Sequence, residues 1–382
     1  MGDIWIGGMH KTNTLEYEIS RNESSRANGV EYAAKDFNGA VKIINKAIGM
    51  SSDFSIVTTK TPLRVTFTGG GTDLMNYYRV RGPGAVVSAT MNKYIYVTVA
   101  RNFYRDEIRV SYSKSEDKLK SVDEIQHPTV RETLRQLGIK GGLQIVSITE
   151  IPSRGTGLGS SSSFLVGLLY ALHTWLGEPV SQEQLASEAF HIEREVLKEE
   201  GGKQDQYIAA YGGIRLMEFN GDESVSMKPI VLNNEKRELL QSSLIMFYTG
   251  RERSSTEIHK EQANSIEGNI GTYDEMRNIA YKTYDAIAKC DIESLGALMD
   301  ANWQLKKKLS NRISDSTIDE YYKKAIEAGA LGGKLMGAGG GGFLLFVAPK
   351  EKHADIARKL GLQEEPFKLD PFGSRIVNME GI

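Results

Sequence analysis

Leu63, Val65 and Phe67 alternate with Arg64, Thr66 and Thr68, the period-two pattern of a strand with one buried face, and predict a strand over residues 61–67. Short apolar runs predict further strands at 93–100, 107–111, 143–150, 244–248 and 343–347. Behind a run of four serines, Phe164-Leu165-Val166-Gly167-Leu168-Leu169-Tyr170 starts an apolar helix that Gly177 and Pro179 bring to a stop. Ser181-Gln182-Glu183-Gln184 is a capping box and opens a second helix, expected to reach residue 200. Helical spacing returns over residues 254–310 and 318–328. A weaker helical pattern at Val30, Ala33, Phe37, Val41, Ile44 and Ala47 sets residues 1–55 apart as an N-terminal extension. The polar, turn-rich stretch 221–236 reads as a boundary, which divides the rest into domains at 56–225 and 240–382. Strands interspersed with helices put the chain in the α/β (α+β) class.

Composition narrows the field. With 382 residues the chain has room for about two domains and a sizeable core. Its net charge of −2, with both signs mixed along the chain, lacks the concentrated basic patch that a nucleic-acid partner requires. The longest basic cluster, Lys306-Lys307-Lys308, reads as a solvated helix face. Cys290 is the single cysteine, which leaves no internal disulfide and no cysteine zinc site and suits a reducing cytosol. Met1-Gly2-Asp3-Ile4-Trp5 has neither a basic start nor a long apolar run, and no segment approaches the roughly 18 apolar residues of a membrane span. The expectation is a cytoplasmic protein without nucleic-acid or membrane partners, as a monomer or homodimer.

The chemistry concentrates at Pro152-Ser153-Arg154-Gly155-Thr156-Gly157-Leu158-Gly159-Ser160-Ser161-Ser162-Ser163. Alternate glycines remove Cβ atoms where a polyanion must approach the backbone, and the serines open a helix whose first N–H groups lack intrahelical partners. Together with the positive end of the helix dipole, they form a phosphate cradle. No Gly-Lys-Ser/Thr follows, so this is not a Walker A loop, and the Gly-x-Gly-x-Gly spacing is not the dinucleotide fingerprint. Glu193 interrupts an otherwise apolar row of Leu185, Ala189 and Val196/Leu197, so it is either a structural ion pair or a metal ligand. Asp205, after the Gly201-Gly202 turn, is either a helix cap or a second acid of the same pocket, with Lys203 as its partner or as a contact for a substrate anion. Gly69-Gly70-Gly71-Thr72-Asp73 sets a hydroxyl and a carboxylate beside bare backbone, and Gly337-Ala338-Gly339-Gly340-Gly341-Gly342 leads into a strand. Three glycine-rich turns, a phosphate cradle and two misplaced acids point to phosphoryl transfer, which depends on positioning and charge more than on covalent catalysis.

In order along the chain, Pro62-Leu63-Arg64-Val65 through Asp73, Pro152 through Ser163 with its Gly-Leu-Gly-Ser-Ser core, and Lys334-Leu335-Met336-Gly337 through Phe343 resemble the three motifs of the GHMP kinase superfamily. The resemblance runs from residue 58 to the C-terminus. Leu74-Met75-Asn76 after Gly-Thr-Asp, Ile192-Glu193-Arg194-Glu195 and Gly202-Lys203-Gln204-Asp205-Gln206-Tyr207 favour the heptose 7-phosphate branch over the fucokinase branch, and the Gly-Glu-His of galactokinases is absent. That resemblance implies two domains, the first sharing the fold of a ribosomal S5 domain and the second ferredoxin-like. It implies ATP and Mg²⁺ as cofactors and a small-molecule sugar phosphate as acceptor, phosphorylated at its anomeric C1 hydroxyl. Asp205 matches the acid that orients or deprotonates the attacking hydroxyl, and Arg64 the basic residue near the transferred group. Glu193 and Ser161 match the Mg²⁺ ligands, with Ser160 the alternative one residue away. Pro152 and the residues from Gly155, Thr156, Gly157, Leu158 and Gly159 to Ser160, Ser161 and Ser162 match the ATP phosphate loop. Gly70, Gly71, Thr72 and Asp73, with Gly339 and Gly340, match the sugar side. A 7-phosphate needs a cationic pocket as well, for which Arg251, Arg253, Lys203 and Lys334 are candidates. The rival readings are a kinase of another sugar, such as L-fucose, and a non-catalytic sensor of sugar and ATP; retention of Asp205, Glu193 and the serines speaks against the sensor.

Overall fold

The structure, a computed structural model, describes residues 54–152, 155–252, 258, 261 and 266–381. Of the expected extension, only residues 54 and 55 fall within that range, and they begin the first strand.

Two sheets organise the chain. The first is built on a long antiparallel pair, β1 (Phe54–Thr68) and β2 (Gly84–Arg101), matched from Ile56↔Ala100 to Thr68↔Val87 with register shifts at Pro62/Leu63 and Thr66/Thr68. One edge of β2 serves two strands in turn: its first half pairs with β6 (Ile214–Phe219) and its second half with β5 (Leu143–Thr149). Beyond β5 lie β3 (Ile108–Ser111), parallel to it, and β4 (Ser115–Leu119); β7 (Val225–Pro229) pairs with β6. The stretch expected to be a boundary therefore holds a strand of this sheet. The free edge of β1 is covered by β12 (Arg375–Gly381), the last described strand.

The polar side of β1 is not the solvated face that alternation predicts. Thr61, Arg64 and Thr66 are nearly as buried as Leu63, Val65 and Phe67, because polar partners replace water, whereas Thr68 is buried with its hydroxyl unpaired. Thr61 meets Ser374 at 2.7 Å, and Thr66 donates to Gln204 Oε1 at 2.8 Å. The serine-led helix α3 (Ser160–Trp175) lies on β1 and β2 and buries Leu165, Val166, Leu168, Leu169, Ala171 and Leu172, so it is apolar nearly all round. Among the described residues two shorter helices precede it, α1 (Met75–Arg81) and α2 (Pro128–Gln136), and a short helix α6 (Asn234–Ser242) follows β7.

The second sheet has β8 (Leu244–Tyr248) and β10 (Phe343–Val347) at its centre, flanked by β11 (Gln363–Glu364) and β9 (Gly332–Leu335), all antiparallel. Leu244, Met246, Phe343, Leu345 and Val347 join one apolar cluster, whereas Ile245, Phe247, Leu344 and Phe346 join another. With both faces covered, these strands read in sequence as unbroken apolar runs. Two long helices, α7 (Ile270–Lys289) and α8 (Ile292–Lys307), pack on each other; α7 touches β1 and β2, while α8 touches β9 and β10 as well as β1. They bridge the two sheets, and the cleft between the sheets is the site.

Candidate active site

Gly155, Gly157 and Gly159 all adopt left-handed φ, at 69°, 74° and 77°. Side chains rarely tolerate that conformation, and here the approach is also too close. A Cβ on Gly157 would stand 2.5 Å from the Met336 carbonyl, and one on Gly337 would stand 2.4 Å from Gly157 Cα. The second and third glycine turns thus lie backbone against backbone. Gly159 is the N-cap of α3 and supplies no side-chain cap to the first N–H groups. The four serines that follow point in four directions, since successive helical residues rotate by about 100°. Ser160 Oγ is buried without a hydrogen-bond partner, Ser161 is exposed, Ser162 Oγ donates to Glu193 Oε2 at 2.8 Å, and Ser163 Oγ ties the helix to the Pro62 carbonyl. The serine that meets Glu193 is Ser162, one position beyond Ser161 and two beyond Ser160. Pro152 is exposed beside the loop, Thr156 and Leu158 are buried within it, and Ser153 and Arg154 lie outside the described residues.

The helix begun by Ser181, α4 (Gln182–Phe190), passes into a π-helical turn at His191–Val196. The wider turn shifts the rotational phase where Glu193 stands, and the residue is only 1 % exposed. Gln206 Nε2 also donates to Glu193 Oε2. Gln206 belongs to α5 (Gln204–Tyr211), whose first turn carries three consecutive site residues on three faces. Gln206 reaches Glu193. Asp205 receives a two-pronged pair from Arg64, Nε to Oδ1 at 2.8 Å and Nη2 to Oδ2 at 2.9 Å. Gln204 donates from its backbone to Asp73 Oδ2 at 3.2 Å.

Arg64 is matched on every side. Its third nitrogen donates to the Gly157 carbonyl, and its backbone N–H donates to the Leu158 carbonyl at 3.1 Å. Strand β1 thereby fixes Asp205 against the glycine loop. Asp73 accepts the Gly71 N–H at 2.8 Å instead of capping its own helix, and burial, opposed by that bond, raises its pKa above the usual carboxylate value.

The cleft, open to solvent, is lined by Arg64, Thr66, Gly71, Asp73, Arg194, Gln204 and Asp205 on the first-sheet side and by Lys306, Lys334 and Gly337 on the other. Other residues expected on the sugar side are engaged elsewhere. The Thr72 hydroxyl accepts the Ala85 N–H and lies 2.9 Å from the carbonyls of Gly69 and Ala85, clamping the first glycine turn to β2. The Lys203 ammonium pairs with Glu223 and lies over the Tyr78 ring, away from the cleft. Gly70 is buried near Gln204 behind Gly71, while Gly339 and Gly340 pack on Ile313. Arg251 pairs with Asp315 at 2.7 Å. Arg253 lies outside the described residues.

Lys306 is the residue that sequence reasoning missed. It is 5 % exposed and not on a solvated face. On α8 it follows Asn302 by one turn, and the same helix face touches two motifs: Asn302 Oδ1 accepts the Gly69 N–H at 2.9 Å, and Lys306 Nζ donates to the Gly337 carbonyl at 2.6 Å. The signal was available, since Met299, Asn302, Trp303 and Lys306 repeat at helical spacing.

Among the described residues no three His, Cys, Asp or Glu gather into a metal cluster. One carboxylate, Glu193, next to serine hydroxyls fits Mg²⁺, which takes one or two carboxylates and completes its shell with phosphate oxygens and water. The orphaned Ser160 hydroxyl and the uncapped start of α3 fit a phosphate group.

This geometry has relatives. The family model for the GHMP kinases N terminal domain matches residues 125–213, and the one for the GHMP kinases C terminal matches residues 283–362. The D-glycero-alpha-D-manno-heptose 7-phosphate kinase of Campylobacter jejuni is 31% identical over 320 residues, covering 80% of this chain and 93% of that protein. A crystal structure titled as a D-glycero-D-manno-heptose 1-phosphate kinase from Bacteroides thetaiotaomicron superposes with a TM-score of 0.69 at 26% identity, over 84% of this chain and 99% of that one. A galactokinase from Lactococcus lactis complexed with galactose shares the fold at a TM-score of 0.68 and 16% identity, over 88% of this chain and 98% of its own. The chain belongs to the GHMP kinases and has their two-domain mixed α/β fold. It is a phosphotransferase with an alcohol group as acceptor.

Proposed function

We propose that this kinase transfers the γ-phosphoryl group of ATP to the anomeric C1 hydroxyl of D-glycero-D-manno-heptose 7-phosphate, giving the 1,7-bisphosphate. The observation that carries the reading is the two-pronged Arg64–Asp205 pair, held at the rim of the glycine loop and facing a cleft that Asp73 also lines. The likeness to the Campylobacter jejuni heptose 7-phosphate kinase supports the choice of acceptor.

In this reading the loop from Gly155 to Ser162 and the uncapped start of α3 receive the nucleotide phosphates. Glu193, with Ser162 or Ser161, holds Mg²⁺, which supplies charge neutralisation on the phosphate oxygens. Asp205 accepts a hydrogen bond from the attacking hydroxyl and takes up its proton; Arg64 keeps the carboxylate aimed and lies beside the group in transit. Asp73 and the Gly71 backbone hold ring hydroxyls.

The test is ADP release with a sugar panel. Heptose 7-phosphate is expected to exceed free heptose and L-fucose in kcat/KM. L-fucose deserves a place because a Bacteroides fragilis L-fucokinase/L-fucose-1-P guanylyltransferase is 24% identical over 81% of this chain, although that match spans only 36% of the relative. Preference for L-fucose would overturn the heptose assignment.

A further inference from the structure

We propose that Lys306 and Lys334 form a subsite for the phosphate that the acceptor already carries, and so select a phosphorylated sugar over its free form. The inference rests on the reading of the acceptor as a sugar phosphate and assigns the residues that recognise it.

Both ammonium groups line the cleft from buried side chains, Lys306 from the last turn of α8 and Lys334 from β9. Lys306 gives one hydrogen bond, to the Gly337 carbonyl, which leaves two of its N–H donors for something else. No described residue pairs with the Lys334 ammonium, although the residue is only 1 % exposed. An unpaired charge in such a place is unfavourable, and the lysines register it. Burial pushes Lys306 down to about 8, opposed by Asp73 and Asp205 and aided by Arg64, and pushes Lys334 well below the usual lysine value, aided by Lys306 and Arg64 and opposed by Asp73.

The anions at hand do not discharge the pair. Asp205 is held by both prongs of Arg64, and Asp73 is held by the backbone N–H groups of Gly71 and Gln204. A doubly charged phosphate ester between the lysines supplies the missing acceptors, and lysine binds phosphate as a point charge without needing a planar fork. The acceptor is the source because the wall shared with the lysines contains Gly71, Asp73 and Gln204 and no residue of the 155–163 stretch that faces the nucleotide. Of the other candidates from sequence, Lys203 is paired with Glu223 and Arg251 with Asp315, and Arg253 lies outside the described residues.

The experiment compares the full chain with Lys306→Met, Lys334→Met and Lys306→Arg. It measures kcat/KM for heptose 7-phosphate and for free heptose, together with the KM for ATP. In the unaltered enzyme the phosphorylated sugar is expected to be preferred. Each Met variant is expected to cut that preference about 10- to 100-fold, chiefly through the acceptor KM, as loss of a charged hydrogen bond predicts. Lys306→Arg should recover part of it. Equal use of both sugars by the unaltered enzyme overturns the sugar-phosphate reading and the subsite with it. A preference that survives in both Met variants overturns the subsite alone. A rise in the KM for ATP with the preference intact assigns the lysines to the nucleotide and also overturns it. If the variants do not fold, calorimetry of the unaltered enzyme at pH 9 decides. With Arg64, Asp73, Arg194, Asp205 and Lys334 the charged groups around Lys306 in the cleft, heptose 7-phosphate should bind with proton uptake and free heptose without it. No uptake with the phosphate ester refutes the subsite.

Discussion

Arg64 and Lys334 face one cleft from opposite walls, both buried, and their surroundings could hardly differ more. Arg64 has a carboxylate on two nitrogens and a carbonyl on the third. Lys334 has no partner among the described residues. A buried charge that the protein satisfies is part of the rigid frame and positions something else; a buried charge left unsatisfied waits for a ligand. In the proposed reading the first wall aims a hydroxyl and the second receives an anion.

The strongest way to break this contrast is Asp205→Asn. It keeps the size of the side chain but removes the charge and the proton acceptor, and kcat should fall on the order of 10²- to 10⁴-fold with little change in the KM for ATP. Near-normal turnover would remove Asp205 from the reaction. Arg64→Lys keeps the charge and loses the fork, and is expected to lower kcat about 100-fold through a loosely held Asp205. An unchanged kcat would show that the pair positions nothing. Glu193→Gln should raise the Mg²⁺ concentration for half-maximal rate about tenfold, since the amide still accepts from Ser162 but contributes no charge. An unshifted Mg²⁺ curve would leave Glu193 a structural residue.

The smallest effect concerns stability without ligand. Lys306 has a folded pKa of about 8, below its value in the unfolded chain, so between about pH 8 and 10.5 the unfolded chain binds more protons. The lysine's penalty on folding is therefore full below pH 8 and is relieved as pH rises through that window. The melting temperature of the parent relative to Lys306→Met should rise across it. A flat difference would mean that Lys306 is not desolvated.

Much of this was legible in the sequence. The three glycine turns, the oddly placed Glu193 and the acid behind Gly201-Gly202 are local signals, and each comes to the cleft or to its rim. What stayed hidden depends on rotation or on distant partners. Four consecutive serines do not reveal which one faces Glu193, because the phase of α3 is set by its packing on β1 and β2. Three consecutive lysines do not reveal that one of them turns inward. Thr72 and Lys203 look free until Ala85 and Glu223, 13 and 20 residues away, occupy them. The polar face of β1 looked solvated because Gln204 and Ser374 are remote in sequence.

The pairing of β12 with β1 joins Phe54 to Gly381 across almost the whole described chain. The strand that carries Arg64 gains its outer neighbour, along residues 54–60, from residues 375–381, so this pairing can form only after both sheets have been synthesised. Removal of residues 375–381 is therefore expected to bare the outer edge of the strand that carries Arg64, in a contact that spans more than three hundred residues of sequence and so is slow to form.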